Sequence, residues 1–334
     1  MKKIISCTVL LMCVLFPMSV MADDSGFVEV SRENCEQYDG IIIKMKHEQS
    51  GVELVYYENA DTEKTFGIGF RTPATDNTGV NHILEHCLLE SSEKAEHKPF
   101  SYLLNHSGAT FLNAMTFPDF TYYALASRDE NEYRMLITTY LDNIFFPSAM
   151  KDENIFKKEG WRKNGDIYNG TVYNEMKGAY SDDETYLSRA IFQSLFPDTA
   201  YKYDSGGSPE YITELTYDNF RKVYEDYYHP GNAVIILYGK QDLTKTLNLL
   251  NERYLSDFDL TQAPKKPVYA LQQKFDDTKF IKADYVGDGA ASVAVNFVTC
   301  ERGDAQLTAK TELLAALLAD RNSMYFHNII RNGL

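Results

Sequence analysis

The chain has 334 residues, a formal net charge of −15, and 44% hydrophobic against 24% charged residues. That acidity argues against nucleic acid as a partner, because phosphate binding needs a basic face. Cysteine is scarce and widely spaced, which excludes a disulfide-stapled scaffold: beyond residue 22 the chain has Cys35, Cys87 and Cys300.

Residues 1–22 read as a targeting segment. Lys2 and Lys3 form a charged start, Ile4 to Met18 an apolar run, and Val20-Met21-Ala22 a small-residue cleavage site. The run is short for a membrane span and Asp23-Asp24 follow at once, so cleavage is favoured over anchoring and no stable span remains afterwards. The segment carries two lysines and no acid, so its removal takes the net charge to −17. The reading is an exported protein, periplasmic or secreted. Its acidic surface reads first as solubilising and also suits attraction of basic peptides. The roughly 310 residues that follow leave room for two domains.

Residues 26–31, 40–46, 52–58 and 65–71 read as strands, rich in Val, Ile, Tyr and Phe between Gly, Asn and Asp turns. In the last of these, Gly67 and Gly69 suit close approach of another backbone. A loop through Asn77-Thr78-Gly79 leads to a helix carrying His82, and a second helical run covers 99–106. Strands at 111–116 and 121–127 are joined through Pro118-Asp119. Helices follow at 129–146 and 148–160, another begins near Thr171, and Thr216 starts one that ends at Tyr228. Ala233 to Gly239 is an apolar strand, and 242–254 a further helix. Residues 257–273 hold Pro264-Lys265-Lys266-Pro267 without apolar periodicity and read as a linker. Residues 274–334 then open a second unit, with strands at 278–286 and 291–299 and a helix at 306–319. So short a unit is thin for a core of its own, and the chain reads as cut off.

The stretch Gly79 to Glu90 carries the chemistry. In His82-x-x-Glu85-His86 the two histidines are four apart and share a helix face, with Glu85 beside them. Two imidazoles converging from one face make two corners of a zinc site, and the glutamate between them can reach water at the metal. This is the inverted form of the His-Glu-x-x-His signature. Cys87 points about 100° further round the helix and reads as a small buried residue. A catalytic zinc needs a third protein ligand, a carboxylate or histidine on another element. Glu175 is the candidate, although a helix glutamate taken alone reads as solvated surface. His229, before Pro230, reads as a cap. His47, His97, His106 and His327 lack ligand spacing and read as surface or locally bonded, and Tyr123 and Tyr180 as packing residues.

Six segments, in order, carry a resemblance. They are Phe70-Arg71-Thr72-Pro73, Thr78 to His86, Phe111 to Asp119, Val172 to Ser181, Asp204 to Pro209 and Tyr227 to Ala233. Together they resemble the presequence-protease branch of the insulinase/pitrilysin superfamily of zinc metallopeptidases, over essentially all of residues 26–334. The resemblance implies an α+β fold (an α/β sandwich) with a mixed, mainly antiparallel sheet packed with helices. It implies 23–256 as an N-terminal zinc-binding peptidase domain and 274–334 as the start of a second, similar one. It implies His82, His86 and Glu175 as ligands of one Zn2+, and Glu85 as general base. Asn113-Ala114-Met115-Thr116 would be the edge strand on which peptide substrates are bound by strand addition. Many relatives carry a second acid seven positions before the glutamate ligand; here that position is Tyr168. Full-length relatives are longer and close a chamber, so a C-terminal half or a partner chain is expected to complete it. The activity implied is a zinc metalloendopeptidase acting on unstructured peptides. The alternatives are a non-catalytic peptide-binding or assembly subunit, which usually loses part of the zinc motif, and an inactive gene fragment.

Overall fold

The computed structural model describes residues 25–94, 100–283, 292–301 and 303–331. Residues 1–22, read from sequence as a targeting segment, and His97 lie outside the described residues. By its contacts the chain divides into two compact units: one runs to Ala179 and resumes over Tyr203–Tyr269, and the other comprises Tyr180–Lys202 and Ala270–Leu334.

In the first unit the strands are β1 (Phe27–Cys35), β2 (Gly40–His47), β3 (Glu53–Glu58), β4 (Lys64–Arg71), β5 (Phe111–Thr116), β6 (Phe120–Ser127), β7 (Arg162–Asn164), β8 (Ile167–Asn169) and β9 (Ala233–Tyr238). Seven form one sheet in the order β1-β2-β3-β9-β4-β6-β5, and β7 with β8 makes a separate hairpin. Within the large sheet β3 and β9 run parallel, while every other neighbouring pair is antiparallel. The sheet is thus mixed and mainly antiparallel, and β5 is an edge.

Alternation decides which face is covered. Phe66 pairs with both Leu125 and Leu237, and Ile68 with both Tyr123 and Ile235, so these side chains form one apolar layer. All six are fully buried, each contributing about 1.5–3 kcal/mol relative to exposure. Helix α1 (Val80–Glu90) packs on helix α3 (Glu130–Phe145), and both pack on β6. Gly67 and Gly69 differ from expectation: the room they leave is taken by the Tyr122 side chain, not by a backbone.

The remaining helices of this unit are α2 (Phe100–His106), α4 (Glu153–Glu159), α5 (Thr171–Ala179), α7 (Pro209–Ile212), α8 (Tyr217–Tyr227) and α9 (Leu243–Arg253). The helix read across 148–160 is two elements. Ser148–Met150 is one 3-10 turn, and Asp152 then caps α4 by accepting the Asn154 N–H.

The second unit contains α6 (Asp183–Leu195), α10 (Ala305–Ala319) and α11 (Met324–Arg331). The strands read at 278–286 and 291–299 are a correction: residues 278–283 and 292–299 form no strand. Val293, Val295 and Phe297 do alternate, but they are exposed and no strand among the described residues pairs with them, and strand conformation without a ladder partner leaves its backbone groups unpaired. Among the described residues, no helix is long and apolar enough to cross a membrane.

Candidate metal centre

Helix α1 begins at Gly79, which holds a left-handed φ of 66°. A Cβ there would lie 2.6 Å from both Gly206 O and Gly207 Cα, so glycine lets the helix start flush against the 204–208 loop. From this start the helix presents His82 and His86 on one face, their ring centroids 4.9 Å apart.

Glu175 reaches the same face from α5. At the other end of the β7–β8 hairpin, Gly170 sits so close to Gly160 that a Cβ on Gly170 would come 2.1 Å from Gly160 O. Gly160 in turn lies against α1, where its own Cβ would meet Ile83 Cγ2 at 2.9 Å. Two glycines therefore bring α4 and α5 onto the histidine helix. Glu175 Oε1 lies 3.8 Å from His82 Nε2, and its Oε2 lies 3.6 Å from His86 Nε2. One donor atom from each of His82, His86 and Glu175 falls within 4.8 Å of the others. Ligand atoms of one tetrahedral zinc lie about 3.4 Å apart, given bonds of about 2.0–2.1 Å, so the donor set fits that metal in type, and the two carboxylate–imidazole distances lie close to that spacing.

Both imidazoles have acceptors behind them. His82 Nδ1 donates to Gly206 O at 3.0 Å, and His86 Nδ1 lies 3.7 Å from Glu159 Oε2. Glu159 closes α4 and is buried. Burial works to raise its pKa, but His86, Lys158 and Thr171 outweigh that and hold the carboxyl at about 2. Burial likewise works to lower the pKa of His86, and it is outweighed by Glu159 and by the charges of Glu85 and Glu175, so it is raised. The site is rich in negative charge, which a divalent cation would balance.

Glu85 is 9% exposed, and its Oε2 accepts from the Thr116 hydroxyl at 2.9 Å. That bond ties the end of β5 to α1. His82, Glu85, His86, Glu159, Glu175 and residues 113–117 line one open groove of about 790 Å3. Asn113 Oδ1 accepts the Ala114 N–H at 2.9 Å, capping one amide on the sheet edge. Every residue proposed from sequence therefore borders this groove.

Glu159 and the Gly206 carbonyl were not found from sequence. Lys158-Glu159-Gly160 reads as an ordinary helix end, and a backbone carbonyl leaves no signature in side chains. The bland readings fare well. Cys87 is fully buried, and burial pushes its thiol well above the usual range. His229 caps a 3-10 turn by accepting the Gly231 N–H at 3.0 Å. His47 is buried and bonded to Ser50 and Asn251. Tyr123 packs behind the site with its hydroxyl 3.0 Å from that of Tyr228.

Residues 64–165 match the model of Insulinase (Peptidase family M16), and residues 214–334 match Peptidase M16 inactive domain. Protein HypA of Clostridium perfringens is 45% identical over 242 residues, covering 70% of this chain and 25% of that protein. Presequence protease 1, chloroplastic/mitochondrial, of Arabidopsis thaliana is 41% identical over 263 residues, covering 77% of this chain and 24% of the relative. The mitochondrial presequence protease of Drosophila melanogaster is 35% identical over 326 residues, covering 91% and 31%. The chain thus spans about a quarter to a third of the length of these relatives. Among solved structures, pitrilysin superposes with a TM-score of 0.54 at 16% identity, over 74% of this chain and 26% of its own. The periplasmic protease PqqL of Escherichia coli gives 0.54 at 17%, over 69% and 25%. Two models of one peptidase family matched in order, a shared fold, and long presequence-protease alignments place this chain in the insulinase/pitrilysin superfamily, with a presequence-protease-like sequence.

Proposed function

We propose that the chain carries the zinc site of a metalloendopeptidase that cleaves unstructured peptides. The observation that carries this reading is the convergence of His82 Nε2, His86 Nε2 and both Glu175 oxygens on one point, with Glu85 beside them in the groove. Zinc bound there would supply Lewis acidity, polarising the scissile carbonyl and making water a competent nucleophile near neutral pH.

The chain's own residues do the rest. His82, His86 and Glu175 hold the ion, while Gly206 O and Glu159 fix the two rings from behind. Glu85 takes a proton from the attacking water and passes it to the leaving amine. The Thr116 hydroxyl holds one Glu85 oxygen in place, and a carboxylate keeps enough lone pairs for that second task. Along β5, residues Asn113 to Thr116 pair with an extended peptide, so that affinity comes from main-chain bonds and side-chain preference is slight. For a peptide to use the Ala114 amide, the Asn113 side chain must turn aside.

Export through the leader 1–22, a domain order of 23–256, 257–273 and 274–334, and a chamber completed by a C-terminal half or a partner chain belong to the same proposal. In the active protein Glu85→Gln should keep the fold and the zinc and lower cleavage of an unstructured fluorogenic peptide by about 10²–10⁴-fold. Unchanged cleavage would overturn the general-base role. Purified wild-type protein lacking stoichiometric zinc would overturn the reading as a whole.

A further inference from the structure

We propose that Asn77 is a positioning residue for the His82 ligand, acting through the loop Asp204 to Ser208. The inference rests on the zinc reading above. A histidine offers a metal one nitrogen, and the partner of its other nitrogen decides which one. His82 Nδ1 lies 3.0 Å from Gly206 O. A carbonyl can only accept, so Nδ1 carries the hydrogen and Nε2 keeps its lone pair. Nε2 is the nitrogen that faces Glu175. Whatever places Gly206 therefore sets the ligand.

Gly206 belongs to no helix or strand, and Asn77 grips its loop at both ends. The Asp204 N–H donates to Asn77 Oδ1 at 2.9 Å, and the Ser208 N–H donates to Asn77 O at 2.9 Å. Between those bonds Asp204 Oδ1 accepts the Gly206 N–H at 3.0 Å, and Asp204 O accepts the Gly207 N–H at 3.1 Å. The asparagine itself sits in a shaped turn, where Asp76 Oδ1 accepts from both N–H and hydroxyl of Thr78. The contact of Gly79 with Gly206 and Gly207 then leaves no slack between the loop and the first turn of α1. One side chain, outside the zinc motif, thus registers the His82 acceptor against the helix that carries His82.

The two bonds of Asn77 differ in what a substitution removes. The bond to Ser208 is main chain and survives any side chain, whereas the bond to Asp204 needs the amide oxygen. Asn77→Ala should keep the bond to Ser208 and remove the one to the Asp204 N–H, and Asn77→Asp keeps an acceptor.

In the zinc-free wild-type chain, 15N-histidine NMR should show His82 as the Nδ1–H tautomer; an Nε2–H tautomer would overturn the proposal without any variant. Asn77→Ala should show mixed tautomers at His82 and bind zinc about tenfold more weakly, measured by competition with a chromophoric chelator. Asn77→Asp should recover most of that affinity. If Asn77→Ala does not fold, Asn77→Ser shortens the acceptor while keeping a turn-forming residue, with the same outcomes expected. Wild-type affinity together with an unchanged tautomer in the variant would overturn the clamp and leave the zinc reading standing. A wild type that takes up no zinc, yet loses its fixed tautomer in Asn77→Ala, would overturn the zinc reading and leave the clamp standing.

Discussion

Gly170 sets the distance between Glu175 and the histidine helix, and Gly170→Ala tests that directly. The added Cβ would lie 2.1 Å from Gly160 O and 2.7 Å from Gly160 C. Carbon–oxygen contacts of this type relax at about 3.3 Å, so the two segments must part by about 1 Å. Gly160 cannot retreat, because it is already seated against Ile83 of α1. The displacement therefore falls on the start of α5 and travels along the helix to Glu175. Metal–ligand distances tolerate about 0.2 Å, and disturbing the groups that hold a ligand costs up to about a hundredfold in metal affinity. Zinc affinity should fall by about that factor in chelator competition, equivalent to about 2.7 kcal/mol. Urea unfolding in excess chelator should show, separately, an overpacking cost of about 1–3 kcal/mol. Gly178→Ala is the control, since a Cβ there meets nothing within 4 Å in the same helix. It should leave zinc affinity unchanged. Wild-type affinity in Gly170→Ala would refute the spacing argument, and equal losses in both variants would trace the effect to helix chemistry instead.

Glu159→Gln should destabilise the zinc-free protein in a pH-dependent way. A carboxyl whose folded pKa is about 2 instead of 4.5 stabilises the fold above pH 4.5, and the contribution is lost as pH falls from there through about 2. The full shift corresponds to about 3 kcal/mol, but Lys158 is half exposed and its share is screened, so about 1–2 kcal/mol is expected at pH 7. The gap between variant and wild type in urea should narrow between pH 5 and pH 3; a constant gap would show that packing, not charge, is the cause. Cys87 should resist a thiol reagent at pH 8 in the native protein and react once urea unfolds it, whereas half-exposed Cys35 should react in both states. Equal native rates would contradict the burial of Cys87.

The parts of the molecule most legible in sequence are those whose signal is periodic. Phe66, Ile68 and Phe70 alternate because one face of β4 is covered, and His82 and His86 share a face because a helix repeats every 3.6 residues. Glu175 is less legible, since nothing in its own neighbourhood distinguishes it from a solvated helix residue, and its side chain is in fact 53% exposed. It was reached through resemblance. Some misses had a readable signal. Asn164-Gly165-Asp166 is turn chemistry, and Gly165 does take a φ of 61° between β7 and β8. Asp182 does cap α6, accepting the Thr185 N–H. The failed strands of the second unit show the opposite limit: alternation records a propensity, and without a ladder partner it produces no strand.

The second carboxylate near His86 lies far from Glu175 in sequence. Seven positions back lies Tyr168, in β8, with its ring 6.1 Å from Trp161 and 6.0 Å from Tyr173. The acid that meets His86 stands before the hairpin, at Glu159. The chain leaves α4 at Gly160, makes the whole of β7 and β8, and returns at Gly170 to touch the residue it left. One backbone bond crosses the base of the hairpin, the Tyr173 N–H donating to Gly160 O at 3.3 Å, while the Asn174 N–H donates to Gly170 O at 2.9 Å to open the first turn of α5. The end of α4 and the start of α5 are thus held together across the base of the hairpin. The whole hairpin lies between Glu159 and Glu175, so no short-range spacing in the sequence links the two carboxylates. What preserves the site is the Gly160–Gly170 contact, which places Glu159 behind His86 and Glu175 in front of it.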